Sequence, residues 1–176
     1  MKTDHKVMLV IGLLTVALMT GLIWSSSKES KQRQEKLAKP LMGEEILVKG
    51  SNHVPDGTKV DYNSNPPTSG PHYVNPQGAG IYDKPVPDGN LVHSMEHGAV
   101  IIWYQSNLPK DQVDQLKTIY NGVAINKKIM VSRDNLDVPV ALTSWGRLLK
   151  LQAIDEAQIK EFIETNNDRA PEKASI

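Results

Sequence analysis

The chain has 176 residues, and its 20 Lys and Arg are balanced by 20 Asp and Glu, so that the formal net charge is zero. No basic patch alternates with aromatic residues, which argues against nucleic-acid binding. The chain has no cysteine, which excludes a lipid-modified cysteine and favours an extracytoplasmic domain only slightly over a cytosolic one.

The first feature along the chain is an apolar run from Val7 to Trp24 without a charged side chain. As a helix rising about 1.5 Å per residue, it spans roughly 27 Å, just enough to cross a bilayer. A cleaved signal peptide is the alternative, because Lys2 and Lys6 precede the apolar residues. No convincing Ala-x-Ala cleavage site follows, so we interpret residues 1–24 as a retained membrane anchor.

A polar segment, residues 25–40, is predicted to form a charged stalk or short helix that ends at Pro40. Its lysines and arginine outnumber the two lysines before the span, which taken alone favours a cytoplasmic domain. Glu29 and Glu35 interleave with these basic residues, so the charge evidence on orientation is equivocal. Residues 41–176, a span of 136 residues, are expected to fold as one domain with one core.

Within this domain, β-propensity predicts short strands at 46–48 and 59–62, followed by a long loop, 63–90, rich in proline and glycine. A continuous apolar run at 99–104 is typical of a strand buried on both faces. A helix is predicted at 109–120, strands at 128–131, 138–143 and 147–153, and a last helix opens with a capping box at 155–158. This order predicts an α+β domain with a mixed or antiparallel sheet and two packed helices.

Four of the five histidines lie close together in the sequence, at His53, His72, His93 and His97. Neutral imidazole is the commonest protein ligand for transition metals. Three prolines and a glycine at 66–71 would hold the imidazole of His72 on a rigid backbone. The grouping therefore predicts a converging metal site, although a surface turn beside an exposed histidine is the alternative for His72.

The structure of residues 91–98 decides which chemistry this segment supports. As a helix, it places His93, Glu96 and His97 on one face, the pattern of the inverted zinc-protease motif in which the glutamate activates water. Gly98 leaves barely two turns for that helix, and no downstream acidic ligand is evident. As a strand, the segment instead aligns His93, Met95 and His97, a plausible copper set. A histidine pair that only hydrogen-bonds the backbone is the third alternative.

Two further candidates have structural interpretations that we prefer. Trp145 beside Gly146 is typical of a packed turn, and Arg147 of a pair with a carboxylate. Ser69 and Ser94 lack a nucleophile elbow, which argues against a serine hydrolase.

Five motifs together resemble those of a family of bacterial and archaeal membrane-anchored proteins whose domain has no assigned function. The motifs are His53-Val54-Pro55, Pro66-Pro67-Thr68-Ser69-Gly70-Pro71-His72, His93-Ser94-Met95-Glu96-His97-Gly98, Thr143-Ser144-Trp145-Gly146-Arg147 and Ala170-Pro171-Glu172. The likeness covers roughly Gly43 to Glu172 and departs from the family at Met95, where leucine is expected. It implies one N-terminal span, an exported domain and signature roles for His53, His72, His93, Glu96 and His97, but no activity.

The leading hypothesis is a non-enzymatic metal-binding domain, anchored in the cell membrane by a single pass and facing outward. His72, His93 and His97 would be the core ligands of copper or zinc, with His53 or Glu96 completing the shell. No organic cofactor and no nucleic-acid partner are expected, and no protein partner is identified. The alternatives are a zinc hydrolase with Glu96 as general base and an envelope interaction module without metal.

Overall fold

The structure, a computed structural model, describes residues 2–176, which divide into two compact units. The first unit ends at Pro40 and consists of one helix, α1 (Lys2–Ala38). Its most apolar part has a mean hydropathy of 2.4, and none of that part is buried. The helix is long enough and apolar enough to cross a membrane. A signal sequence meets the same two criteria.

The second unit, Leu41–Ile176, is an α+β domain with a mixed sheet, as predicted. Its strands are β1 (Glu44–Glu45), β2 (His53–Val54), β3 (His72–Tyr73), β4 (Gly80–Tyr82), β5 (Val100–Gln105), β6 (Lys128–Arg133), β7 (Val140–Ser144) and β8 (Arg147–Leu151). Its helices are α2 (Asp88–Glu96), α3 (Lys110–Gly122) and α4 (Glu156–Asn166). The two helices expected from the sequence are α3 and α4, and α2 is the segment that the sequence left open between helix and strand.

The main sheet has six strands in the order β1-β8-β7-β5-β6-β4, and β2 pairs with β3 in a separate small sheet. The central strand β5 runs parallel to β6 and antiparallel to β7, so the sheet is mixed. Two-residue β2 and β3 are parallel to each other. The small sheet carries the first two histidines of the candidate site.

The continuous apolar run of β5 is explained by burial of both faces of the sheet. Since successive side chains alternate between faces, Val100 and Ile102 meet a core cluster that includes Leu116 of α3 and Phe162 of α4. The intervening residue Ile101 belongs to a second cluster on α2. Helices therefore cover both faces, with α3 and α4 on one and α2 on the other.

The strands predicted at 46–48 and 59–62 are wrong, because tertiary contacts use these residues differently. The short β1 pairs at the edge with β8, and the N–H of Ile46 then donates to the carbonyl of Gly146 at 3.0 Å outside the ladder. The hydroxyl of Tyr62 donates to the carbonyl of Pro71 at 2.9 Å, which ties residue 62 to the loop before β3. The segment predicted as a long loop, residues 63–90, contains the short strands β3 and β4.

The turn between β7 and β8 confirms the structural interpretation of its motif. Gly146 has a φ of +68°, which the tight turn requires. Arg147 donates to a carboxylate oxygen of Glu45 at 2.9 Å.

Candidate metal centre

The side chain of His72 is presented by a buried loop, residues 66–70, that ends at β3. The carbonyl of Thr68 accepts a hydrogen bond from the N–H of Gly146 at 3.2 Å, which ties the loop to the β7–β8 turn. Gly70 has a φ of +129°, a conformation that favours glycine. This path places the Gly70 carbonyl 2.8 Å from Nδ1 of His72.

Arg133 fastens this loop to the start of α2. Its Nε donates to Oδ1 of Asn65 at 2.7 Å, and its two terminal nitrogens donate to the two carboxylate oxygens of Asp88 at 2.6 and 3.1 Å. The guanidinium carbon lies 5.1 Å from the ring centroid of Trp103. A bidentate pair with a stacked guanidinium is geometrically restrictive, so Arg133 holds the segments before His72 and before His93 in one arrangement.

His53 reaches the same point from β2. The parallel pairing sets His53 opposite His72, with ring centroids 5.0 Å apart. The N–H of His72 also donates to the carbonyl of Asn52 at 3.0 Å. His53 is exposed, whereas His72 is fully buried, so this edge of the site faces solvent.

The helix α2 supplies His93 and Glu96, which lie on one face because they are three residues apart. A Cβ at Gly89 would lie 2.6 Å from the ring of Tyr73, so glycine is what allows α2 to approach β3 this closely. At this distance Nδ1 of His93 lies 2.7 Å from the carbonyl oxygen of Tyr73.

The hydrogen bonds at Nδ1 determine which ring nitrogen is free in His72 and His93. A carbonyl oxygen can only accept, so Nδ1 carries the hydrogen in both rings and the neutral form keeps its lone pair on Nε2. Metal-binding histidines are typically oriented by such a bond from the other ring nitrogen. The local backbone therefore prepares two imidazoles as Nε2 ligands.

These two nitrogens lie close to the donor atoms of His53 and Glu96. One ligand atom each from His53, His72, His93 and Glu96 lies within 4.8 Å of all the others. A tetrahedral zinc ion with ligands at about 2.0–2.1 Å needs separations of about 3.3 Å. Small side-chain shifts are enough to close the group around one ion.

Unpaired acceptor atoms in this group favour a bound cation. Nε2 of His72 is buried without a hydrogen-bond partner, and Oε2 of Glu96 lies 3.0 Å away without hydrogen-bond geometry. Leaving such a polar atom unsatisfied costs about 1–3 kcal/mol. Burial also lowers the pKa of His93, and the neighbouring histidines lower it further. The hydrogen bond to the carbonyl of Tyr73 raises this pKa but does not outweigh burial. The neutral imidazole favoured by this shift is the form that binds metal.

His97 follows α2 as its C-cap residue and lies beside the four-atom group, not within it. Its Nε2 is 3.0 Å from Nε2 of His93 and 3.2 Å from Oε2 of Glu172. Its Nδ1 lies 2.9 Å from the carbonyl of Ser175, which fixes this ring in the same way as the other two. The predicted role of His97 as a core ligand thus stays a prediction.

Of the two alternatives for residues 91–98, the structure excludes the extended one that aligns His93, Met95 and His97. The segment is helical up to Glu96, and Gly98, with a φ of +93°, follows the helix end. Met95 is fully buried in the core cluster on the sheet face covered by α2. Its thioether is occupied in core packing.

Glu172 is the residue near the site that sequence reasoning missed. Ser175, from the same segment, lies 78 residues after its partner His97 in the chain. Neither spacing nor periodicity connects this segment with α2, and only the family motif at 170–172 drew attention to it. A carboxylate brought from so far along the chain is found only from the folded structure.

Comparison with known proteins gives one match. The family described as "Protein of unknown function (DUF3105)" matches residues 53–175, a span that begins at His53 and includes every histidine and glutamate of the site. No curated protein and no solved structure matches the chain.

Proposed function

We propose that this chain, which belongs to the DUF3105 family, binds a divalent transition-metal ion through His53, His72, His93 and Glu96. The observation that carries the proposal is the unpartnered, buried Nε2 of His72 within a group of four converging donor atoms. Backbone carbonyls orient two of the three imidazoles in advance. Little side-chain freedom therefore remains to be lost on binding.

Zinc is our first candidate for the ion. The donors are three imidazole nitrogens and one carboxylate oxygen, a set that Zn²⁺ accepts in tetrahedral geometry. Cu⁺ prefers soft sulfur ligands, and Met95 packs in the core. Cu²⁺ is the alternative, because imidazole suits it as well.

We favour binding over hydrolysis as the role of the ion. Structural zinc sites use four protein ligands, whereas catalytic sites keep one position open for water. Glu96 is one of the four converging donors, which supports a role as a ligand over a role as a base beside a metal-bound water. The exposed His53 gives the ion a route to solvent, which suits a domain that takes up or exchanges metal.

We further propose that the domain is held at the outer face of the membrane by α1. The length and apolarity of α1 support attachment to the membrane, and the resemblance carried by the five sequence motifs implies an exported domain. The basic residues after the span argue the other way, but carboxylates interleave with them.

The test is the metal content of the full-length protein, purified in detergent and dialysed after loading with zinc. We expect His72→Ala and His93→Ala each to lose most of the bound zinc, since each removes a bond and the geometry of the remaining ligands. His5→Ala, on α1, is the matched control and should change nothing. Full retention of zinc by both site variants would overturn the proposal, and a wild-type chain that holds no zinc would favour the interaction module.

A further inference from the structure

We propose that His97 and Glu172 hold a second divalent cation next to the first, so that the site is a two-ion centre. The inference rests on the proposed function, because the first ion occupies the group of four donors. It concerns the two metal-ligating side chains that this group leaves out. Both lie at the outer side of His93, where the C-terminal segment crosses α2.

The two histidines of α2 face each other through their free nitrogens. Nδ1 of His93 and Nδ1 of His97 each meet a backbone carbonyl, so each neutral ring has its lone pair on Nε2. These two Nε2 atoms are only 3.0 Å apart. Two lone pairs at this distance repel unless a cation lies against them, and one ion at the inner group satisfies only His93.

Glu172 adds negative charge at the same nitrogen. Its Oε2 lies 3.2 Å from Nε2 of His97, and an ionised carboxylate can only accept hydrogen bonds. The free donor atoms of His97 and Glu172 thus form a pair suited to a borderline divalent cation. The Glu172 side chain is 52% exposed, which leaves room for water molecules to complete the coordination of this outer ion.

The backbone holds Glu172 in place independently of its side chain. Its N–H donates to the carbonyl of Glu96 at 3.1 Å, and the carbonyl of Ser175 accepts from the His97 ring at 2.9 Å. Ile176 packs against the core cluster under α2. The carboxylate is therefore part of the folded domain and not a chance contact of a free end.

The distances allow two separate ions. Paired metal ions in proteins lie about 3.5–4 Å apart. Two ions, each about 2.1 Å from its own nitrogen, fit this spacing when the nitrogens are 3.0 Å apart, the ions lie on the same side of the nitrogen pair, and the two nitrogen–ion bonds diverge slightly. Each imidazole has one free nitrogen, so His93 serves the inner ion and His97 the outer one. The outer ion, with fewer protein ligands, is expected to bind more weakly.

The experiment counts zinc ions on the full-length chain in detergent, by titration and elemental analysis. We expect about two per chain in the wild type, and about one in His97→Ala and in Glu172→Gln, with the tighter binding step unchanged. Glu164→Gln, an exposed glutamate on α4, is the control and should keep two. One tightly bound zinc in the wild type would overturn the two-ion centre and leave the proposed function standing, whereas no zinc would overturn both.

A second measurement excludes a second ion bound elsewhere on the surface. With Cu²⁺ as the probe, two adjacent ions couple magnetically, so the paramagnetic resonance signal per copper should fall when the second equivalent is added. In Glu172→Gln the signal of protein-bound copper should stop growing after one equivalent. A second equivalent that adds a full, uncoupled signal in the wild type would overturn the proposal.

Discussion

Glu96 is the side chain at which the binding and hydrolytic hypotheses differ. As a general base it would stand beside a metal-bound water and need not touch the ion. In the structure its Oε2 lies 3.0 Å from the unpartnered nitrogen of His72 and belongs to the group of converging donors. Its carboxylate is buried, with 3% of the residue exposed, so its charge is felt strongly by a neighbouring cation.

Glu96→Gln is expected to weaken zinc affinity by about ten-fold to a hundred-fold, since the amide keeps the shape but loses the charge that holds the ion and orients the imidazoles. Competition with a chelator of known affinity measures the change, with Glu164→Gln as the control. Unchanged affinity combined with the loss of a measurable hydrolytic activity would favour the enzyme instead.

The close packing of α2 against β3 places the ligands of one element within reach of the other. Gly89 is the contact point, because its missing side chain leaves room for the ring of Tyr73. The carbonyl of Tyr73 is in turn the acceptor that orients His93. A change in helix position is thus transmitted directly to a ligand.

Gly89→Ala is expected to destabilise the domain by about 1–3 kcal/mol, as overpacking does, and to weaken zinc binding by moving His93 away from Tyr73. The matched control is Gly122→Ala, also in a helix, where the nearest atom to an added Cβ is 3.9 Å away on Lys160. Chemical unfolding and chelator competition give the two values. Equal effects of the two substitutions would contradict the role of Gly89.

The N-terminus of α4 is expected to contribute to stability in a pH-dependent way. Asp155 accepts a hydrogen bond from the backbone N–H of Gln158 at 3.0 Å, as the predicted capping motif requires, and a second one from the side-chain amide of Gln158 at 2.7 Å. The backbone bond is the main cause that lowers the pKa of Asp155 below 3.8. The carboxylate therefore binds its proton less readily in the folded state than in the unfolded state.

This stabilisation is present above the unfolded pKa and is lost as the pH falls through the lower, folded one. Compared with Asp155→Ala, the wild type should be more stable at neutral pH, and the difference should shrink as the pH drops below 3.8. Urea unfolding of both proteins across the acid range measures it. A difference that stays constant with pH would show that Asp155 acts through something other than its charge.

At the scale of the whole molecule, the features with a local cause were predictable. The buried strand β5, the capped helix α4 and the end of α2 shortly before Gly98 each follow from residues within a few positions. The strand predicted at 59–62 failed because Tyr62 is held by a contact to Pro71 rather than by a neighbouring strand. The candidate site follows the same rule. The helical alternative for residues 91–98 placed His93 and Glu96 on one face, whereas no sequence pattern indicated that Glu172 lies beside His97.

The two-unit organisation leads to a prediction about topology. If α1 anchors the domain outside the cytoplasm, a reporter that is active only in the cytoplasm should be silent when fused after Ile176. The same reporter fused to a variant lacking the apolar part of α1 should become active. A strong signal from the unaltered chain would reverse the orientation.

The imidazoles of His72, His93 and His97 are oriented by main-chain oxygens, those of Gly70, Tyr73 and Ser175. A substitution that removes a side chain leaves such a carbonyl acceptor in place, so an alanine scan would detect little of the contribution that the main chain makes to orienting the imidazoles. Only a substitution that changes the path of the main chain would alter these hydrogen bonds. A few side chains thus supply the donor atoms of the site. Its geometry depends on main-chain carbonyls, which most single substitutions leave in place.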